Sequence, residues 1–234
     1  WGDNLFGQLG NDSTEDSAVP VEVKGLTDVV QIAAGMTQSC ALLASGAVEC
    51  WGYGGVDAGQ AIVNPTPVRI TGLSGVTSLV VGNSFACALL ESGHVECWGE
   101  GDIGQLGDGN ENDSNNTPVN VQDVSDAVQL AAGRNHVCAL RRDGTVVCWG
   151  DGESGQLGDG VFHDGYPNWV KTPVRATAFS DVIEVSCGGN HTCVRTSTNA
   201  VKCVGGGEHG QLGNGTFYEK QPFGSATAVD ALSL

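Results

Sequence analysis

One length in this chain does not change. Pro20, Pro67, Pro118 and Pro173 each stand 31 residues before Trp51, Trp98, Trp149 and Val204. The Trp-Gly pairs at Trp1-Gly2, Trp51-Gly52, Trp98-Gly99 and Trp149-Gly150, with the altered Val204-Gly205, are 50, 47, 51 and 55 residues apart. All variation in length therefore falls between Trp and Pro. A period near 50 overrides any domain count drawn from the 234-residue length, because repeating units bury their apolar faces on one another.

Each constant segment reads as four short strands, in the first copy 21–23, 28–34, 38–43 and 47–51, separated by Gly and polar residues as around Asp28-Val-Val-Gln-Ile-Ala-Ala-Gly35. Gly 36 with Met 1 speaks for tight turns over helices. The expected class is all-β: a β-propeller of four-stranded blades, read as one repeat domain over 1–234. Complete blades are expected at about 19–51, 66–98, 117–149 and 172–204, with partial repeats at 1–18 and 205–234. The Trp-to-Pro segment then joins one blade to the next. At its centre lies Gly7-Gln-Leu-Gly10, repeated at 104–107, 155–158 and 210–213 and decayed to Gly59-Gln-Ala-Ile62. Glycines around a buried Leu suit a close-packed corner. A phosphate cradle is not favoured, since no helix start follows.

Cys40/Cys50, Cys87/Cys97, Cys138/Cys148 and Cys193/Cys203 share one spacing. With Ala44-Ser45-Gly46 as a three-residue loop ending in a left-handed residue, counting outward sets Cys40 opposite Cys50. The same count holds for the loops at 91–93 and 142–144, and at 197–199 with Asn199 in the left-handed place. Opposition at a non-hydrogen-bonded site favours four disulfides over zinc, whose ligands come at shorter CxxC-like spacings. Cys187 is unpaired in this scheme and aligns with Ala34, Val81 and Ala132, so a packed free thiol is expected.

Disulfides at this density place the chain outside a reducing cytosol, secreted or at a cell surface. The sequons at Asn11, Asn112, Asn115 and Asn214 lie on connectors and are the candidate glycosylation sites; that at Asn190 is less suitable. Ten Lys+Arg against 27 Asp+Glu give a net charge of −17, which disfavours nucleic acid and anionic membrane surfaces. No apolar run is long enough to cross a membrane. The start at Trp1 is read as a processed chain or a piece of a longer one, more in keeping with a larger ring than with an open arc.

No catalytic constellation and no cofactor are expected. The histidines, at 94, 136, 163, 191 and 209, never gather with a nucleophile, and His136 and His191 share a repeat position that suits a structural hydrogen bond. The acidic connectors 11–16 and 108–114 lack the ligand register of a calcium loop, so no metal is assigned. Trp51, Trp98 and Trp149 suit inter-blade packing. The longest connector carries Phe162, His163, Tyr166, Trp169 and Lys171, and the last adds Phe217 and Tyr218. Phe162, Tyr166, Trp169, Phe217 and Tyr218 are the candidate partner-binding residues, with packing onto the blade as the alternative.

The run Ala33-Ala34-Gly35, Cys40-Ala-Leu-Leu43, Ser45-Gly46-Ala-Val48 and Trp51-Gly52, with Gly7-Gln-Leu-Gly10 one repeat earlier, resembles the regulator of chromosome condensation repeat over nearly the whole chain. The resemblance implies a propeller, usually of seven blades, in a family whose members differ widely in function: a nuclear guanine-nucleotide exchange factor, a plant ultraviolet photoreceptor and secreted β-lactamase inhibitors. The cysteine pairs replace the family's usual apolar residue and Ser, and Gln38 and Phe85 stand where His is common. The expected function is a non-enzymatic extracellular or cell-envelope scaffold that presents its connectors to a protein or glycan partner. The alternatives are a surface-layer or filament subunit self-assembling through open blade edges, and a secreted enzyme inhibitor.

Overall fold

The computed structural model describes residues 1–57, 60–164 and 167–232, without the side chains of 55–61. Its strands form four antiparallel four-stranded sheets and no helix is found among the described residues. Blade I holds β1 (Val29–Ala34), β2 (Gln38–Leu43), β3 (Val48–Asp57) and β4 (Gln60–Ile70). Blade II holds β5 (Val76–Val81), β6 (Phe85–Leu90), β7 (Val95–Gly99) and β8 (Asn115–Asn120). Blade III holds β9 (Ala127–Ala132), β10 (His136–Arg141), β11 (Val146–Gly150) and β12 (Val170–Arg175). Blade IV holds β13 (Val182–Cys187), β14 (His191–Thr196), β15 (Val201–Gly206) and β16 (Gly224–Asp230).

The blade boundaries expected at 19–51, 66–98, 117–149 and 172–204 are one strand out of phase. The strand after each Pro closes the sheet that precedes it: Cys50 pairs with Val68, Cys97 with Val119, Cys148 with Val174 and Cys203 with Val229. The Trp-to-Pro segment therefore leaves a blade and returns to it. Blades are joined instead by the short links 71–75, 121–126 and 176–181. Residues 21–23 form no strand in this chain.

The cores lie between blades. Leu42, Val48, Val76, Leu79 and Trp98 join I to II; Phe85, Val95, Leu130, Val137 and Trp149 join II to III; Leu140, Val146, Val185, Val194 and Val204 join III to IV. Alternating strand residues supply these faces, as period-two geometry requires. Two glutamines add polar stitches. The Gln31 amide donates to Leu79 O and accepts from Leu79 N, both at 3.0 Å, and Gln129 does the same with Val185 at 3.0 Å. Each side chain thus acts as a short piece of strand for the next blade.

All four disulfides form across β2–β3, β6–β7, β10–β11 and β14–β15, with Cα atoms 4.0 to 4.1 Å apart. Gly46, Gly93, Gly144 and Asn199 occupy the left-handed loop position, with φ of 81°, 85°, 80° and 62°. Cys187 is a free thiol packed at the edge of the III/IV core.

Candidate functional site

The connectors gather at one end of each blade, and the Gly-Gln-Leu-Gly corner shapes them. The Gln side-chain oxygen accepts the backbone N–H two residues earlier: Phe6 for Gln8 at 2.9 Å, Ile103 for Gln105 at 2.9 Å, Ser154 for Gln156 at 2.8 Å and His209 for Gln211 at 2.8 Å. Leu106, Leu157 and Leu212 are buried. A Cβ at the last glycine of the corner would meet the Trp ring, 2.8 Å from Trp51 Nε1 at Gly10 and 2.8 Å from Trp149 Nε1 at Gly107. These glycines also have φ of 69° and 68°, a region costly for other residues. The corner is a structural clasp. It sits on one blade and holds the next, because Trp51 Nε1 donates to Gln8 O at 2.9 Å and Trp149 Nε1 to Gln105 O at 3.0 Å.

Where the repeat departs from its pattern, the clasp changes. In blade I the decayed corner is replaced by continued strand pairing, Tyr53 with Val63 and Asp57 with Gln60. Trp98 consequently has a buried Nε1 with no partner among the described residues. In blade IV, where Val204 stands for Trp, Thr192 Oγ1 donates to Gln156 O at 2.8 Å and the Phe179 ring fills space beside Val204. Replacing Trp149 with Phe strands the Gln105 carbonyl, whereas replacing Trp98 with Phe removes a donor that has no partner among the described residues. Urea unfolding is expected to show W149F destabilised by about 1–3 kcal/mol more than W98F; equal losses would remove the clasp from the stability argument.

Three acidic positions recur on the connectors. Counted from Trp-Gly they hold Asp3, Glu100 and Asp151; then Asp102, Glu153 and Glu208; then Asp16, Asp113, Asp164 and Glu219. Asp16 and Asp113 accept the backbone N–H of Asn4 at 2.8 Å and of Gly101 at 2.9 Å, tying the loop together. Burial, then Asp102 and Asp113, raise the Glu100 carboxyl above its usual range. Burial, then Asp151 and Asp164, raise that of Glu153. The carboxylates thus repel one another, and a cation brought to this end would be attracted. Between the connectors of blades III and IV, Glu153, Asp164, Asn190, Glu208 and Phe223 line a cleft of about 390 Å³.

The expected contact residues divide into separate groups. Phe162, His163 and Trp169 are half-buried and line one shallow hollow with Asp164. His163 Nε2 is 2.9 Å from Asp159 Oδ2, and its ring covers Gly152. Tyr218, at the equivalent place in blade IV, lies over Gly207 and accepts a bond from Asn214 Nδ2 at 3.0 Å. Phe217 is 64% exposed. Tyr166 lies outside the described residues. Lys171 is paired with Glu111 at 3.0 Å. Among the sequon residues, Asn112 and Asn190 are exposed and Asn11, Asn115 and Asn214 are half-buried; Asn11 Oδ1 accepts from Asn4 Nδ2 at 3.3 Å.

His136 is fully buried, its Nε2 2.9 Å from Thr192 Oγ1 and its Nδ1 without a partner among the described residues. Since Thr192 donates its proton to Gln156 O, it accepts from His136, which fixes the Nε2–H tautomer. Burial, helped by His191, holds the pKa down at about 3. Donor atoms of His136, Cys138 and Cys187 lie within 4.8 Å of one another. Cys138 is bonded to Cys148 and Thr192 already occupies His136 Nε2, so no metal is assigned.

Two family models described as the regulator of chromosome condensation (RCC1) repeat match this chain. One matches residues 76–105, 127–156 and 182–211. The other matches 1–42, 92–140 and 143–195. The chain belongs to the RCC1 repeat family. The ultraviolet-B receptor UVR8 of Arabidopsis thaliana is 32% identical over 100% of this chain and 54% of the receptor. The human E3 ubiquitin-protein ligase HERC2 is 35% identical over 82% of this chain and 3% of the ligase. The chain thus spans about half of the receptor and a small part of the ligase. The yeast RCC1 protein Prp20, solved bound to Kap60, superposes with a TM-score of 0.83 at 23% identity, covering 100% of this chain and 59% of that one. Human WBSCR16 gives 0.78 at 22% identity over 98% and 61%. In RCC1-repeat terms, the paired cysteines and the broken corner of blade I are the local departures. The acidic connector positions were countable from Trp-Gly in the sequence, a signal that sequence reasoning passed over; the Thr192 exchange was legible only once strand pairing showed which blade each connector clasps.

Proposed function

We propose that this RCC1-repeat chain is a non-enzymatic binding scaffold whose connector end engages a basic protein surface, in an oxidising compartment at or outside the cell surface. The observation that carries the reading is the recurrence of acid at three connector positions, which sets negative charge around the arc beside the Phe162–Trp169 hollow. Charge of one sign on rigid supports steers and orients a partner of the other. Half-buried rings supply area for short-range contact. The yeast RCC1 protein, whose binding to Gsp1p and histones has been studied, makes protein partners a reasonable choice over glycans. Glycans at Asn112 and the other sequons belong to the same proposal, as does the oxidising location that four disulfides suit.

Partner capture with the wild-type chain, and with chains carrying E153K plus D164K or W169A, provides the test. The charge-reversed and ring-deleted baits should lose a basic partner by at least tenfold while keeping the wild-type melting temperature. Undiminished capture removes the site assignment.

A second reading, assembly through open blade faces, rests on Ile32. It is 74% exposed, whereas its counterparts Leu79, Leu130 and Val185 are buried at 2%, 6% and 2%. The face of blade I that bears it is built like an inter-blade core, and another blade of this kind fits it. Sedimentation should show association that I32K abolishes; a concentration-independent monomer would dismiss the reading.

A further inference from the structure

Every blade carries its disulfide at the same place, so the surroundings of the four can be compared. The disulfides of blades I, II and III face the first strand of the following blade. In the inter-blade cores Val81 packs with the Cys40–Cys50 cluster, Ala132 with the Cys87–Cys97 cluster, and Cys187 with the Cys138–Cys148 cluster. Only blade III meets a third sulfur. Cys187 Sγ and Cys138 Sγ are each 3.7 Å from the same Thr192 hydroxyl and lie within 4.8 Å of one another. Cys187 also lines a hollow shared by Met36, Asn83 and Arg134, where the β1–β2, β5–β6 and β9–β10 turns meet, so small reagents can approach its strand end.

We propose that Cys187 is the resident nucleophile of a disulfide switch, exchanging the bond inside blade III for one that locks blade III to blade IV. The Cys187 thiol gives up its proton to solvent base, and its thiolate attacks Cys138 Sγ. The Cys138–Sγ to Cys148–Sγ bond breaks, a Cys187–Cys138 bond forms, and Cys148 leaves as a thiolate that takes a proton. One disulfide and one thiol are present before and after, so neither oxidant nor reductant is consumed.

Burial pushes the Cys187 thiol up to about 12, which leaves little thiolate and makes exchange slow at neutral pH. Besides the disulfide, this sulfur is hydrogen-bonded by the Thr192 hydroxyl and the Cys138 backbone, which lower its pKa without offsetting burial; the nearby His136 ring is neutral, and Arg134 is the cation that lines the same hollow.

Thiol mapping of the whole chain tests the switch. Protein incubated at pH 9 with a trace of monothiol is quenched in acid, unfolded at low pH, alkylated with N-ethylmaleimide and digested without reduction. Label should divide between Cys187 and Cys148, with Cys148 at least tenfold above its level in C187S. Label confined to Cys187 overturns the proposal. A second variant removes any dependence on the exchange rate: C148A, oxidised with glutathione disulfide, should yield a Cys138–Cys187 cross-link with two equivalents of glutathione released. Separate glutathione adducts on Cys138 and Cys187, with the other three disulfides intact, would equally overturn it. Should C148A fail to fold, the wild-type mapping decides alone.

Discussion

Reduction of all four disulfides is expected to unfold this protein at room temperature. Each bond closes a loop with a sequence separation of 10. Restricting the unfolded chain over a loop of that size contributes about 2.8 kcal/mol, so four contribute about 11 kcal/mol in the same chain-entropy account. A domain's whole stability is about 5–15 kcal/mol. The losses fall inside the inter-blade cores, because Cys40, Cys87, Cys138 and Cys148 have no exposed surface. Near-ultraviolet circular dichroism and urea titration, with and without a phosphine reductant, should show collapse of the transition on reduction. A reduced, alkylated chain that keeps its midpoint would show that blade packing alone suffices. Replacing a single pair, Cys87 and Cys97 by Ala, should cost about 2–5 kcal/mol.

Acid should weaken the protein through His136. Its ring is neutral in the fold, with a pKa of about 3, against 6.5 for the free side chain. The unfolded chain therefore binds a proton between those values and the folded one does not. The contribution is complete above pH 6.5 and is lost as pH falls from 6.5 towards 3. At about 1.4 kcal/mol per pH unit, roughly 2–3 kcal/mol is gone by about pH 4.5. Glu100 and Asp151, whose pKa values are raised, act in the opposite sense, so the difference from a variant isolates the histidine. Blade I suggests the variant, for Gln38 takes the same buried place and donates to Tyr53 O at 3.1 Å. Between neutral pH and about pH 4.5, the wild type should lose about 2–3 kcal/mol more than H136Q in urea unfolding. Parallel pH profiles would exclude His136 as the acid-sensitive group.

The cysteine pairing was legible because it depends on local geometry. A three-residue loop and period-two alternation set register over about ten residues, and no distant contact can alter it without turning side chains to the wrong face. The role of Cys187 as a packed thiol followed from its small-residue counterparts, although its neighbour across the blade boundary did not. The connector aromatics were visible as residues, but which of them share a hollow was not: Tyr218 folds onto Gly207, while Phe162 and Trp169 line the same hollow.

The sequence by itself determined the repeat, the four strands per unit and the four cysteine registers, all written in spacings shorter than one blade. Tertiary structure decided which sheet receives the strand after each Pro, since Val68 reaches Cys50 only when the intervening connector folds back. It also decided that the corner of one blade clasps the Trp of the next, and that Thr192 serves where Trp is missing. Those choices join residues 18 to 44 positions apart, and backbone groups there are satisfied by whichever partner the closed packing brings within reach.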